Sequence, residues 1–287
     1  MIGLKAIRRA LALLFFVPLC LAFGILAHDS PGALFSLPAK VQLVPVILSG
    51  SVAAVSSIVA LTLLFGRVYC SVICPLGVAQ DVMARLGARN RYSYRPEKKW
   101  LRRVSLVLFI AAFALGIPLL FGVLEPYSIF GRVAATTLMP LGQVGKDILG
   151  GSADAGNGLP VSAFRTWKTG VAPFLVTVST FAVIAFIALK TGRTWCNTLC
   201  PVGTALGIFA RFSLFRPRIN GNSCTGCGRC ARVCKAACID AQAGVIDADR
   251  CVSCFNCISA CNRNSITYSI SKPGKNAPSE PVPGWRL

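Results

Sequence analysis

A twelve-residue stretch occurs twice in this chain, and it limits the folds open to the rest. Gly66-Arg67-Val68-Tyr69-Cys70-Ser71-Val72-Ile73-Cys74-Pro75-Leu76-Gly77 matches Gly192-Arg193-Thr194-Trp195-Cys196-Asn197-Thr198-Leu199-Cys200-Pro201-Val202-Gly203 at a constant offset of 126 residues, and Arg85 and Arg211 fall in the same register. Each copy closes a long apolar run. Four runs reach the roughly 20 apolar residues that a helix needs to cross a bilayer: Ala10 to Ala27, Val41 to Gly66, Val104 to Leu124 and Val171 to Leu189. Each half is therefore two spans followed by G-R-x-aromatic-C-x3-C-P-x-G. Both halves run out and back, so they read as parallel repeats related by an axis along the membrane normal.

Composition agrees with spans plus a small polar module: 54% of residues are hydrophobic and only 14% charged. The surplus of 30 Lys and Arg over 10 Asp and Glu lies beside the apolar runs, where topology explains it better than nucleic acid does, so no nucleic-acid partner is expected. Arg85, Arg89, Arg91, Arg95, Lys98, Lys99, Arg102 and Arg103 crowd the connection between the second and third spans, whereas His28 to Lys40 carries one Lys. The positive-inside rule then places that basic loop and both termini in the cytoplasm, with Glu125 to Gly170 outside. Within this outer loop, the uncharged Val133 to Gly145 is too short to span and reads as a packed or interfacial loop. Lys5, Arg8 and Arg9 before the first run resemble the start of a cleaved leader, but Ile25 stands where cleavage wants a small residue, so an uncleaved span is the reading.

Twelve of the 14 Cys fall in spaced motifs, which favours metal ligation over a disulfide framework. Cys224, Cys227, Cys230 and Cys234 form C-x2-C-x2-C-x3-C, and Cys251, Cys254, Cys257 and Cys261 repeat it. In bacterial two-cluster ferredoxins three Cys of a run hold one [4Fe-4S] cluster and the fourth crosses to the other. One cluster is then expected on Cys224, Cys227, Cys230 and Cys261, and the second on Cys251, Cys254, Cys257 and Cys234. Closed zinc sites are the alternative, less specific to this spacing. Cys238-Ile239-Asp240 and Val245-Ile246-Asp247 read as strands turning at Ala243-Gly244. The residue after each fourth Cys is Lys235 or Asn262 instead of Pro, which bears on local geometry and not on ligation. Cys238 and Cys20 read as buried thiols without a ligand role.

In the C-x3-C-P pairs the i, i+4 spacing puts both thiols on one helix face, with Pro ending or bending the helix. The repeat brings Cys70, Cys74, Cys196 and Cys200 toward one axis, a redox locus able to hold a further metal or form disulfides. Arg67 and Arg193 would favour thiolate there. Packing of the helix ends is the bland alternative.

On these motifs, and on Glu125-Pro126-Tyr127-Ser128-Ile129-Phe130-Gly131-Arg132 after the third span, the chain resembles the NapH and MauN type of ferredoxin-like membrane protein, over nearly its whole length. The resemblance implies a quinol dehydrogenase subunit: quinol oxidation, with electrons passing through two [4Fe-4S] clusters to a partner oxidoreductase. The expected architecture is a membrane all-α domain of four transmembrane helices, residues 1–212, then an α+β ferredoxin domain, 213–270, and a disordered tail, 271–287. The expected setting is the bacterial inner membrane, with lipid, the quinone pool and a redox protein as partners. His28 and Glu125, with Asp81 as an inner alternative, are the ionisable candidates for the quinol site. A different reading is a maturation factor that sends cytoplasmic electrons outward. Topology is open to direct test: a reporter active only in the periplasm should be silent after Leu287 and active near Gly156, and the opposite pattern would reverse the orientation.

Overall fold

The computed structural model describes residues 2–24, 38, 40–87, 92–117, 122–149 and 171–270. Its helical part comprises α1 (Ile2–Gly24), α2 (Leu43–Leu48), α3 (Val52–Phe65), α4 (Tyr69–Val72), α5 (Pro75–Leu86), α6 (Lys99–Ala114), α7 (Pro126–Leu149), α8 (Val171–Thr191), α9 (Thr194–Thr198) and α10 (Pro201–Ala210). Then follow β1 (Phe215–Ile219), α11 (Arg229–Arg232), β2 (Ile239–Asp240), β3 (Val245–Ile246), α12 (Asn256–Ala260) and β4 (Ile266–Ile270).

Among the described residues two helices are long and apolar enough to cross a membrane, Gly3–Phe23 and Phe174–Thr191. The other two expected spans differ from expectation. Val41 to Gly66 is broken at Ser49-Gly50-Ser51, where the Ser49 and Gly50 N–H groups bond back to the Pro45 and Ile47 carbonyls. At about 1.5 Å per residue the remaining helix α3 falls short of a hydrocarbon core of about 30 Å. The third expected span, Val104 to Leu124, is helical from Lys99 to Ala114 and then turns at Leu115 and Gly116. Large apolar side chains still point outward, among them Leu14, Val107, Leu175 and Phe186, as in a surface that meets lipid.

The expected outer loop is the largest correction. Pro126–Leu149 is a helix, so Val133 to Gly145 is not a loop. Glu125 starts it: its carboxylate accepts from the Tyr127 N–H at 2.9 Å and from the Ser128 N–H, with Pro126 at the first helical position. Phe130 and Ala134 then bury against Leu19 of α1, and Phe130 meets both Phe16 and Phe23 at ring-centroid distances of 5.6 and 6.1 Å. α7 therefore lies along α1.

The two repeats fold alike. α3 and α8 run up to Gly66 and Gly192, at φ +75° and +70°, a conformation that glycine adopts without the Cβ clash. The chain then makes a short helix, α4 or α9, that carries the first Cys. The second Cys is the N-cap of the next helix, at φ −68°, ψ 116° for Cys74 and φ −74°, ψ 117° for Cys200. Pro75 and Pro201 thus open α5 and α10, where a missing N–H is harmless, instead of ending or bending a helix. A Cβ at Gly77 would lie 2.2 Å from the Cys70 carbonyl oxygen, and one at Gly203 2.3 Å from that of Cys196. The repeat therefore needs glycine where its second helix crosses its first.

Downstream, β2 and β3 form the expected antiparallel hairpin. The start of the expected 213–270 domain supplies β1, which pairs antiparallel with β4 from Phe215↔Ile270 to Ile219↔Ile266. The unit therefore begins before its first Cys. Residues 271–287, expected as a tail, lie outside the described residues. One buried cluster runs from Leu43, Tyr69 and Leu76 through Leu206 to Ile239, Phe255 and Ile266, so the helices and the β unit share a core. Gly203→Ala should lower stability by about 1–3 kcal/mol through overpacking, read as a fall in the thermal midpoint in detergent. Gly3→Ala, with nothing within 4 Å of its added Cβ, should not.

Candidate functional site

Arg67 and Arg193 lie at the centre, both 0% exposed. A buried guanidinium is tolerated only when acceptors replace water, and each finds one in the opposite repeat. Arg67 Nη2 donates to the Cys196 carbonyl at 3.2 Å, and Arg193 Nη1 donates to the Cys70 carbonyl at 2.9 Å. The contacts are reciprocal at the 126-residue offset. Beyond that the halves differ. Arg193 Nε donates to Asp81 Oδ1 at 2.8 Å. In the repeat register Asp81 corresponds to Gly207, where no carboxylate exists. A Cβ there would lie 2.7 Å from the Asp249 carbonyl oxygen, and that oxygen accepts from Arg67 Nη1 at 3.1 Å. A residue of the β unit thus stands where the second repeat lacks a side chain.

Asp81 draws further cations. Arg8 Nη2 sits 2.6 Å from Oδ2 and Lys235 Nζ 3.6 Å from Oδ1, and Lys235 also donates to the Asp81 carbonyl at 3.1 Å. Burial pushes the Asp81 carboxyl up, but Arg193, Lys235 and Arg8 outweigh it and hold it at about 2. Lys235, noted in the sequence only as a missing Pro, therefore fastens the first cysteine run to α5.

Cys70, Cys74, Cys196 and Cys200 are all buried. They lie close enough to act on one another electrostatically: Cys74 feels Cys70 and Cys196, and Cys200 feels Cys196, Cys74 and Cys70. The Cys200 sulfur accepts from the Gly203 N–H at 3.4 Å, at the start of α10. Burial pushes the Cys74 and Cys200 thiols up and Cys196 to about 11, against the pull of Arg193 and Arg67. The two arginines do favour the thiolate at Cys196, and Arg67 Nη2 lies 3.9 Å from the Cys70 sulfur, but at Cys196 desolvation outweighs them. Among the described residues, Arg67 Nε, Arg193 Nη2, Gln80 Nε2 and Trp195 Nε1 are buried donors with no acceptor. A locus with surplus donors and four sulfurs fits an anionic sulfur-ligated group.

In the β unit the thiols separate into two sets. A cavity of about 290 Å³ is lined by Cys224, Cys227, Cys230 and Cys261. A second, of about 10 Å³, is lined by Cys234, Cys251, Cys254, Cys257 and Cys238. The structure thus brings the fourth Cys of each run to the other run. Both runs turn through positive φ at matching places, Gly226 and Gly228 in the first, Ser253 (48°) and Phe255 (60°) in the second. In the second run tertiary contacts hold this costlier backbone: Ser253 Oγ donates to the Phe65 carbonyl at 3.1 Å, and Phe255 packs edge-on to Tyr268 at 5.0 Å. The crossed spacing of the thiols is the one that bacterial two-cluster ferredoxins use.

Cys238 is buried as expected, yet its sulfur lies 3.6 Å from that of Cys234. Hydrogen bonding from Cys238 pulls Cys234 down to about 7 against burial, and it lowers Cys251 in the same way. No spacing in the sequence points to this contact. Of the quinol candidates, His28 lies outside the described residues. Glu125 is 2% exposed, with its carboxylate turned onto the first N–H groups of α7, so it is a helix cap instead of a solvated interfacial group. Gln42 and Tyr69, unremarked in the sequence, form a buried polar pair nearby: Tyr69 Oη accepts from the Leu43 N–H at 2.8 Å and donates to Gln42 Oε1 at 3.2 Å.

A family described as a 4Fe-4S binding domain matches residues 47–93 and 172–220. Both segments contain a C-x3-C-P pair and both end before Cys224. Among curated relatives, YccM of Escherichia coli (strain K12) is 25% identical over 80% of this chain and 58% of its own length. The methylamine utilization ferredoxin-type protein MauN of Paracoccus denitrificans is 28% identical over 59% of this chain and 48% of its own. The ferredoxin-type protein NapH of Haemophilus influenzae is 26% identical over 71% and 62%. The chain thus spans about half the length of these relatives. No solved structure matches it.

Asp81→Asn should leave Arg193, Arg8 and Lys235 buried without their shared countercharge and destabilise the protein by about 3–5 kcal/mol. Because the folded carboxyl lies below its ordinary value of about 4, the stabilisation is present above that pH and is lost as pH falls toward about 2. Thermal midpoints of wild type and variant at neutral pH measure the loss.

Proposed function

We propose that this chain, which is similar to the ferredoxin-type proteins MauN and NapH and matches a 4Fe-4S binding family in two segments, oxidises quinol in the membrane and delivers electrons through two [4Fe-4S] clusters to a partner oxidoreductase. The observation that carries this reading is the shared core, in which Cys70, Cys74 and Cys200 belong to the same buried cluster as Cys234, Cys254 and Cys257. The helix-end thiols and the lining of the second cavity therefore belong to one buried apolar cluster.

Cys224, Cys227, Cys230 and Cys261 would hold one cluster, and Cys251, Cys254, Cys257 and Cys234 the other. Bound there, these groups supply one-electron transfer. Cys238 keeps its proton and donates to two of the ligands, which favours their thiolate form. Cys70, Cys74, Cys196 and Cys200 form the redox locus between quinol and the β unit, and the matching of the 4Fe-4S family to their two segments supports a sulfur-ligated group at that place. Arg67, Arg193, Gln80 and Trp195 offer it their free donors. Quinol oxidation releases two protons, for which Glu125 and His28 remain the candidate acceptors, with residues 1–212 as the membrane part and both termini cytoplasmic.

Adding quinol to the oxidised protein under anaerobic conditions should bleach its iron–sulfur absorbance, and added quinone should restore it. Cys70→Ala or Cys196→Ala, at full iron in the β unit, should slow the bleaching by more than about 100-fold. Cys234→Ala should remove about half the iron of a crossed two-cluster unit, whereas Cys238→Ala should remove none. A fully loaded wild type that quinol fails to reduce would sink the proposal.

A further inference from the structure

We propose that the face around Cys227 is the docking surface for an acidic electron-transfer protein. The inference rests on the reading of Cys224, Cys227, Cys230 and Cys261 as cluster ligands. The two cysteine sets differ in what covers them. Cys234, Cys254 and Cys257 are buried, whereas Cys227 is exposed and its three companions half-buried. The helices account for the first condition: Ser253 bonds to Phe65, Asn197 Nδ2 donates to the Ala236 carbonyl at 2.9 Å, and the Arg193 N–H donates to the Lys235 carbonyl at 2.8 Å. The second cysteine set is therefore covered by the protein's own helices, and the first is left for a partner to approach.

The rim of that open cavity has a definite chemistry. Arg229, Arg232 and Arg263 line it and are exposed, and no Asp or Glu does. None of the three joins an ion pair among the described residues. Two are nevertheless held in place. Arg229 Nη1 donates to Asn262 Oδ1 at 2.9 Å, tying one cysteine run to the other, and Arg232 Nη2 donates to the Cys227 carbonyl at 3.3 Å. Positioned cations without countercharge raise the encounter rate of an anionic partner and suppress that of a basic one. A small, salt-sensitive interface is the type that transient redox pairs use.

The probe is a plant-type [2Fe-2S] ferredoxin with an acidic surface, and the readout is its binding to the iron-loaded full-length protein in detergent, at low and at physiological salt. Wild type should bind more weakly as salt rises. Arg229→Gln, Arg232→Gln and Arg263→Gln together should weaken binding about tenfold at low salt and flatten the salt dependence. Lys98→Gln, Lys99→Gln and Arg103→Gln, which remove equal charge elsewhere, should leave it near wild type. If the rim triple loses iron, Arg263→Glu alone, whose guanidinium bonds nothing among the described residues, serves in its place. Equal weakening in both triples, or none in either, overturns the proposal, as does a rim triple that loses only its sedimentation with phosphatidylglycerol vesicles. Wild type that never holds iron would instead sink the cluster reading on which this one stands.

Discussion

Two guanidinium groups removed from water dictate the arrangement of everything around them. Dehydrating such a group is costly unless acceptors replace the lost solvent, and neither repeat has enough of its own. Each arginine must reach across to the first-cysteine carbonyl of its counterpart, which holds the two helix ends together at fixed spacing. Gly77 and Gly203 follow from the same demand, since any side chain there would strike the carbonyls involved. So does the burial of Asp81 among three cations, one of them from α1 and one from the β unit. Four separate stretches of chain are thereby joined at one carboxylate.

The thiols inherit their character from that frame. All four pack near two dehydrated arginines and Cys74 and Cys200 cap helix starts, yet for Cys74, Cys196 and Cys200 the desolvation penalty is the larger influence. Within the β unit, by contrast, hydrogen bonding from Cys238 outweighs burial at Cys234. Neighbouring sulfur sites in one core thus differ in which form they favour, and the difference comes from donors within a few ångströms.

Local patterns were legible in the sequence, and long-range ones were not. The spacing of Cys224 through Cys261 anticipated how the thiols divide between two cavities, because that division depends on short loops. The hairpin at Ala243-Gly244 was equally readable. α7 was missed because Gly131, Arg132, Thr136 and Thr137 keep its hydropathy low, and its helicity rests on a cap at Glu125 and on aromatic packing against α1. The break in the second span turns on three small residues inside an otherwise apolar run. Arg67 and Arg193 were seen to matter for the neighbouring thiols, but their carbonyl acceptors lie more than a hundred positions away, beyond any motif. Lys235 looked like a lost proline and proves to be an anchor whose partner is 154 residues distant.

The substitution of a β-unit carbonyl for the side chain missing at Gly207 bears on how the protein is made. Translation delivers the N-terminal portion first, so Arg67 and the whole second repeat emerge while Asp249 is still unsynthesised. Until then the first arginine lacks one of its acceptors, and the paired helix ends cannot reach their final packing. A product truncated before Asp249 would therefore lack that acceptor for Arg67.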